Sequence, residues 1–196
     1  MRKIVVITMV SLDGVMQSPG AKEEDTSSGF TLGGWSMPYW DEVGLAVMDR
    51  QIGQPFDLLL GRKTYDVFAP YWPKQSGTIA TAFNKATKYV VTDEEPDPNW
   101  DKTVRIHGDV VAALRKLKAG DGPMLQVHGS GRLVQTLLAE DLVDELWLRT
   151  FPLTLGSGQR LWEEGVRPAA WKLTESVVTP KGLILASYVR DGDVKI

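Results

Sequence analysis

The side chains best placed to do chemistry gather at three points where an apolar run stops at a glycine or a hydroxyl. Leu58-Leu59-Leu60 ends at Gly61, followed by Arg62, Lys63 and Thr64. Met124 to His128 ends at Gly129-Ser130-Gly131, followed by Arg132 and Leu133, and Lys88-Tyr89-Val90-Val91 stops at Thr92-Asp93. A glycine lets backbone amides come close to a ligand, and a helix starting there offers free N–H groups and the positive end of its dipole to an anion. At the first junction two cations and a hydroxyl strengthen that field. At the second, a pyrophosphate has amides with no Cβ at either glycine, and Arg132 stands ready to screen it. Each junction taken alone is more often a plain turn, and neither matches the dinucleotide fingerprint or the P-loop. Their coincidence points to a phosphorylated ligand.

Other residues leave two readings open. Asp41 and Glu42 stand at the start of an expected helix, where they either compensate the dipole or serve a substrate as acids. Asp13, just before Gly14, reads as a local turn hydrogen bond. His128 reads as a packed strand residue. Trp35, Trp40 and Trp72 either stack on a planar heterocycle or fill the core.

The elements that must position these groups follow from periodicity. Lys3 to Val10 is β-branched and apolar throughout, which suits a strand buried on both faces near the centre of a mostly parallel sheet. Ser11 to Ser36 is rich in Gly, Ser and Thr and lacks periodicity, so it is expected to be a long functional or mobile loop, with Ser11 to Gly34 the most mobile segment. Pro38 to Ile52 repeats Val43, Ala46, Val47 and Met48 at helical spacing. Pro55 to Leu60, Lys88 to Val91 and Met124 to His128 read as strands, and Asp109 caps a helix bearing Val110, Val111, Leu114 and Leu117. Glu145 to Arg149 reads as a further strand. Trp171 to Thr179 and Leu183 to Arg190 read as a hairpin turning at Pro180-Lys181-Gly182. Alternating β and α units with a β-rich end predict an α/β protein of three αβα layers, its central mixed sheet mostly parallel with a C-terminal antiparallel hairpin.

Composition narrows the function. The chain has 196 residues, 43% of them hydrophobic, which fits one domain spanning 1–196. Twenty-two basic against 25 acidic residues give a net charge of -3, so no basic excess suggests nucleic acid as a partner. There are no cysteines and two histidines, which removes thiolate sites and redox pairs and leaves no expectation of a metal. No run approaches the roughly 20 apolar residues of a membrane span, so a cytoplasmic protein is expected.

Six motifs, in order, carry a resemblance. They are Ser11-Leu12-Asp13-Gly14, Leu60-Gly61-Arg62-Lys63-Thr64-Tyr65, Lys88-Tyr89-Val90-Val91-Thr92, His128-Gly129-Ser130-Gly131-Arg132-Leu133, Leu142-Val143-Asp144-Glu145-Leu146 and Pro152-Leu153-Thr154-Leu155-Gly156-Ser157-Gly158. From Lys3 to about Arg190 the chain resembles the dihydrofolate reductase-like family, in the branch of the C-terminal reductase domain of the bifunctional riboflavin-biosynthesis deaminase-reductase. The resemblance implies NADPH as cofactor, with Gly61, Arg62, Lys63 and Thr64 at its adenosine end and pyrophosphate. Thr92 would lie near the 2′-phosphate, Gly129, Ser130, Gly131, Arg132 and Leu133 would cradle the pyrophosphate, and Thr8 and Met9 would lie beside the nicotinamide. Ser11 to Met16 would start the loop that closes over it.

The deaminase half of the bifunctional enzyme uses H-x-E and P-C-x-x-C zinc motifs, and a chain without cysteine cannot supply them. What remains is a reductase acting on a C=N or C=O bond of a small heterocyclic or ribose-derived substrate. Dihydrofolate reductases carry a carboxylate in the helix after the closing loop, and Asp41 and Glu42 are the residues that could correspond to it. The rivals are a dihydrofolate reductase proper and a nucleotide- or pterin-binding protein without turnover. The riboflavin branch also implies a homodimer, for which the apolar strand Leu146-Trp147-Leu148 and the late strands are the expected surface.

Overall fold

A computed structural model of the chain describes residues 1–97 and 99–196. Eight strands form one sheet: β1 (Ile4–Ser11), β2 (Phe56–Gly61), β3 (Lys88–Val91), β4 (Thr103–Ile106), β5 (Met124–His128), β6 (Glu145–Phe151), β7 (Trp171–Val178) and β8 (Ile184–Arg190). Their order is β4-β3-β2-β5-β1-β6-β8-β7. The pairs from β4 across to β6 are parallel, whereas β6 with β8 and β8 with β7 are antiparallel. This is the expected α/β architecture, with β1 in the interior and the C-terminal hairpin at one edge. Gly182, at φ 82, makes the hairpin turn that a side chain would strain.

Five helices cover the two faces: α1 (Glu42–Ile52), α2 (Arg62–Phe68), α3 (Thr78–Lys85), α4 (Val110–Ala119) and α5 (Gly131–Ala139). Leu114 of α4 and Leu133, Val134 and Leu137 of α5 pack with Ile4, Val6 and Val10 of β1, Leu59, and Leu125 and Val127 of β5. Ile52 of α1, Tyr65 of α2 and Phe83 of α3 pack on the opposite face with Phe56, Leu58, Leu60 and Val90. Successive residues of β2 thus serve different layers, because side chains alternate across a strand. Leu58, Leu59 and Leu60 are all fully buried, and truncating one to alanine costs roughly 2–5 kcal/mol.

Three expectations need correction. The helix expected over Pro38 to Ile52 begins at Glu42. Met37–Tyr39 is instead a separate 3₁₀ turn, and Trp40 and Asp41 are extended, with Asp41 as N-cap accepting from the Gly44 amide. The buried face of α1 is Gly44, Val47 and Gln51, a stripe at spacings of three and four, while Val43 is 40% exposed. Two elements, α3 and the edge strand β4, carry too little sequence signal to be predicted. β4 has the short, alternately exposed sequence Thr-Val-Arg-Ile and so gives little apolar signal. Asp109 caps α4 as expected, accepting from the Ala112 amide at 3.0 Å.

Candidate active site at the ends of the parallel strands

In an open α/β sheet the carboxyl ends of the strands and the loops beyond them form the ligand-binding edge. Here β2 and β5 end side by side at Gly61 and His128, and Ser130 joins their two junctions. Its hydroxyl accepts from the Gly61 amide at 2.8 Å and donates to Thr64 Oγ1 at 2.7 Å. A Cβ at residue 61 would fall 2.8 Å from Ser130 Cβ, so the glycine is required for this approach. Gly129 at φ 70 and Ser130 at φ 66 turn the chain into α5 through two consecutive left-handed residues. A Cβ on Gly129 would meet only Thr64 Oγ1, at 4.0 Å. The result is a cradle of main-chain amides open to a ligand.

The cations around this cradle are partly engaged. Arg62 Nε donates to both oxygens of Asp66 at 2.7 and 2.8 Å, and its guanidinium lies 2.7 Å from Glu94. Lys63 Nζ lies 3.4 Å from Asp25 and 3.3 Å from Ser27 Oγ, reaching into the long loop. Arg132 is exposed on the first turn of α5. Leu133 is buried in the core and seats the helix. Thr92 is buried at the end of β3, where its hydroxyl accepts from the Glu94 amide at 3.1 Å. Thr8 and Met9 project to opposite faces of β1. Thr8 is in line with Val6 and Val10, whereas Met9 packs with Trp35, Trp40 and Phe151 on the α1 side.

Asp41 and Glu42 do not join that edge. Both oxygens of Asp41 accept backbone N–H groups, from Gly44 at 3.0 Å and Lys181 at 3.2 Å. These bonds stabilise the charged form and hold the carboxyl below its usual range. Of the two open readings of Asp41, the structure shows the capping one. Glu42 is exposed in the first turn, apart from the buried stripe of α1.

Asp13 also has a structural task. It accepts from Ser11 Oγ at 2.5 Å and from the Leu155 and Gly156 amides at 3.1 and 2.8 Å, which lower its pKa to about 2. The local turn bond expected of it is present, along with a longer-range tie to the loop after β6. Gln17 strengthens the same junction. Its Oε1 accepts from the Gln159 amide at 2.9 Å, while its Nε2 donates to the Asp25 and Ser27 carbonyls at 3.1 Å.

On the α1 side of the sheet lies a buried polar group that sequence reading missed. His128, a packed strand residue as expected, has its ring 5.0 Å from Phe83 and shares a 3.0 Å hydrogen bond with Gln126. Burial, helped by the charge of Arg149, lowers its pKa to about 3. Arg149 donates to Gln51 Oε1 at 3.2 Å and lies 5.7 Å from the Trp40 ring. The signal was present in the sequence, because Arg149 occupies the inward position between Trp147 and Phe151. Trp35 packs edge-on against Phe151 at 5.4 Å and is buried in the core, whereas Trp72, 4.8 Å from Phe83, and Trp40 are only partly buried.

Among the described residues no helix is long and apolar enough to cross a membrane, and no cluster of three metal-ligating side chains occurs.

Comparison with known proteins matches residues 2–185 to the RibD C-terminal domain. Two relatives come from Bacillus subtilis strain 168. YwjB is 31% identical over 168 residues, covering 83% of this chain and 84% of the relative, and YyaP is 24% identical over 202 residues, covering 97% and 96%. A putative riboflavin biosynthesis protein from Shewanella sp. PV-4 is similar in structure, with TM-score 0.66 and 22% identity over 96% of this chain and 99% of that one. A pyrimidine reductase-like protein from Corynebacterium diphtheriae gives 0.62 with 13% identity over 98% and 93%. The dihydrofolate reductase of Enterococcus faecalis, solved with NADP(H), gives 0.60 with 16% identity over 96% of each chain.

Proposed function

The chain belongs to the RibD C-terminal domain family, which covers nearly its whole length, and on that premise we propose an NADPH-dependent reductase that transfers hydride to a C=N or C=O bond of a small heterocyclic or ribose-derived substrate. The observation that carries this reading is the tie of Gly61 and Thr64 to Ser130, which makes one cradle out of two glycine junctions. An extended ligand with phosphates fits such a cradle, because amides free of Cβ and a helix N-terminus favour anions.

The amides of Gly129, Ser130 and Gly131 and the Thr64 hydroxyl would hold the pyrophosphate. Arg62, Lys63 and Arg132 supply the cationic rim, and Thr92 borders the adenosine end. Met9, with Trp40 beside it, forms the wall against which a nicotinamide would rest. NADPH, when bound, supplies the hydride, and the chain's share is to orient cofactor and acceptor and to exclude water. The fold it shares with a dihydrofolate reductase solved with NADP(H) supports the choice of cofactor.

A folate acceptor is the less favoured reading. The buried stripe of α1 carries Gly44, Val47 and Gln51 and no carboxylate. A Cβ at residue 44 would already meet Leu183 at 3.2 Å and Trp40 at 3.3 Å.

Titration of the protein with NADPH, followed by nucleotide fluorescence, tests the cofactor. Saturable binding that Gly131→Val abolishes without altering the circular dichroism spectrum is expected, since residue 131 is not left-handed and a Cβ there meets only the end of Gln159 at 3.4 Å. Absence of binding by folded wild-type protein overturns the reading. Loss of NADPH absorbance with a ribosylamino-pyrimidine, tested against dihydrofolate, identifies the acceptor class. Binding with no oxidation by any acceptor would instead fit a binding protein without turnover.

A further inference from the structure

We propose that Arg149 anchors an anionic oxygen of the acceptor substrate, so that the sheet edge beside β1 and β6 selects a planar ring bearing a carboxylate. This rests on the reductase reading and adds to it the charge of the substrate.

The argument begins with a contrast between two buried arginines, each only 4% exposed. Arg2 is fully partnered, donating to Asp57 at 2.5 Å and to the Pro123 carbonyl at 2.8 Å. Arg149 has a neutral partner, Gln51 Oε1 at 3.2 Å, and its buried Nε has no partner at all. No carboxylate lies within ion-pair distance of it among the described residues. A buried cation without a counter-ion is costly to retain, and replacing one with an apolar side chain of similar volume is often neutral or stabilising. An orphaned N–H on such a cation calls for an acceptor. Burial also lowers the pKa of Arg149 to about 10, so the strain falls on the guanidinium itself while it remains charged at neutral pH.

Placement makes the missing partner a ligand. Arg149 pairs in register with Met9, near the carboxyl ends of two parallel strands, which is where α/β sheets bind their ligands. Met9 and Trp40, which border it, are both partly exposed, so solvent reaches the edge of the group. The surroundings also select the ligand's shape. Tyr39 and Trp40, both partly exposed, meet the buried Phe151 edge-on at 6.2 and 5.8 Å and set aromatic rings at this edge that suit a flat ligand. With one nitrogen committed to Gln51, the remaining N–H groups of the planar guanidinium present a fork to an oxyanion. At 4% exposure the group favours a carboxylate, which loses less hydration on burial than a phosphate dianion. His128 is neutral here and adds no competing charge.

The test uses the full chain, with benzoate as probe and benzamide as its neutral isostere, both followed by tryptophan fluorescence and calorimetry. Wild-type protein is expected to bind benzoate at least about ten-fold more tightly than benzamide, the size of one charged hydrogen bond. Arg149→Met should erase that preference while melting at or above the wild-type temperature, so that the lost preference cannot come from a lost fold. Arg149→Lys, which keeps the charge but moves it from the Nε position, should retain part of the preference and stands in if the methionine variant fails to fold. Equal benzoate binding by wild type and Arg149→Met, or no benzoate preference in the wild type, overturns the proposal. NADPH affinity is measured on the same samples. A wild type that binds NADPH but shows no benzoate preference refutes only the anchor, whereas one that binds no NADPH refutes the reductase reading.

Discussion

The Ser130 hydroxyl bonds the Gly61 amide at 2.8 Å across a gap that no side chain at residue 61 could share. Two junctions 69 residues apart in the chain are thereby fixed to one another by a single oxygen. Ser130→Ala leaves the buried amide of Gly61 without its acceptor, at a cost of about 1–3 kcal/mol. For a chain of this size the melting temperature is expected to fall by roughly 2–4 °C per kcal/mol. NADPH binding should weaken alongside it, which scanning calorimetry with and without nucleotide will show. A variant whose melting temperature and nucleotide affinity both match wild type would refute the tie.

Arg62 is expected to set the preference for NADPH over NADH. A 2′-phosphate bound at this junction must draw Arg62 away from Asp66 and Glu94, which now hold it. A charged hydrogen bond contributes about 1.5–3 kcal/mol, so Arg62→Ala should weaken NADPH by roughly ten-fold or more and leave NADH nearly unchanged. Glu94→Gln should act in the opposite direction by releasing the guanidinium. Calorimetric titration with both nucleotides decides this, and an equal loss for the two would show that the phosphate lies elsewhere.

His128 makes the fold sensitive to acid. Its pKa is about 3 when folded against 6.5 for the free side chain, so the unfolded state binds the extra proton between those values. Stability contributed by the neutral ring is therefore present above about pH 6.5 and lost as the pH falls toward 3. His128→Gln should lose several degrees less melting temperature than wild type between pH 7 and pH 4.5, and it should leave activity without a histidine inflection to remove. Parallel loss in both proteins would contradict the burial of the ring.

Asp41→Ala is expected to lower the melting temperature by a few degrees with little change in the rate per folded enzyme, as a cap requires. Glu42→Gln should change neither. A large fall in turnover at unchanged stability for either variant would restore the role of acid to this pair. Thermal melts and turnover assays on the same preparations separate the two outcomes.

We infer a homodimer through the late strands, one of the two surfaces its sequence suggests. Leu146 and Trp147 are buried in the core at 2% and 6% exposure. The free apolar surface is instead on the hairpin, where Leu173, Val178 and Ile184 are 50%, 68% and 39% exposed and β7 is an unpaired edge. Light scattering should give a mass near twice 21.7 kDa, and Val178→Lys should return it toward that of one chain. A wild type with the mass of a single chain would exclude the dimer.

The parts of the molecule that could be read without coordinates share a physical property: their signals are local. β1 announces itself in Ile4-Val5-Val6-Ile7, and the two glycine junctions are marked by abrupt stops in apolar runs. α3 and β4 were missed because each is short and leans on tertiary contacts, as Phe83 does against Phe56 at 5.8 Å. The same limit hid much of the site. Nothing near Gln17 in the chain suggests that it will hold Gln159, and although the strand pattern marks Arg149 as inward, its lack of an acid partner shows only once its neighbours on α1 are known. The start of α1 is ambiguous in sequence for a local reason: Pro38 and the helical spacing of apolar residues extend the helical signal past the Asp41 cap.

The position of β1 between β5 and β6 has a consequence for how the protein is made. β1 leaves the ribosome well before its parallel neighbours β5 and β6, which are complete only after residues 128 and 151. During that interval Ile4 to Val10 is an unpaired, β-branched ribbon, the kind of segment that seeks any available strand. Long-range pairing of this sort delays productive folding until most of the chain is present. Nascent chains stopped before Glu145 should therefore be captured by chaperones or precipitate, while those released after Arg190 should not.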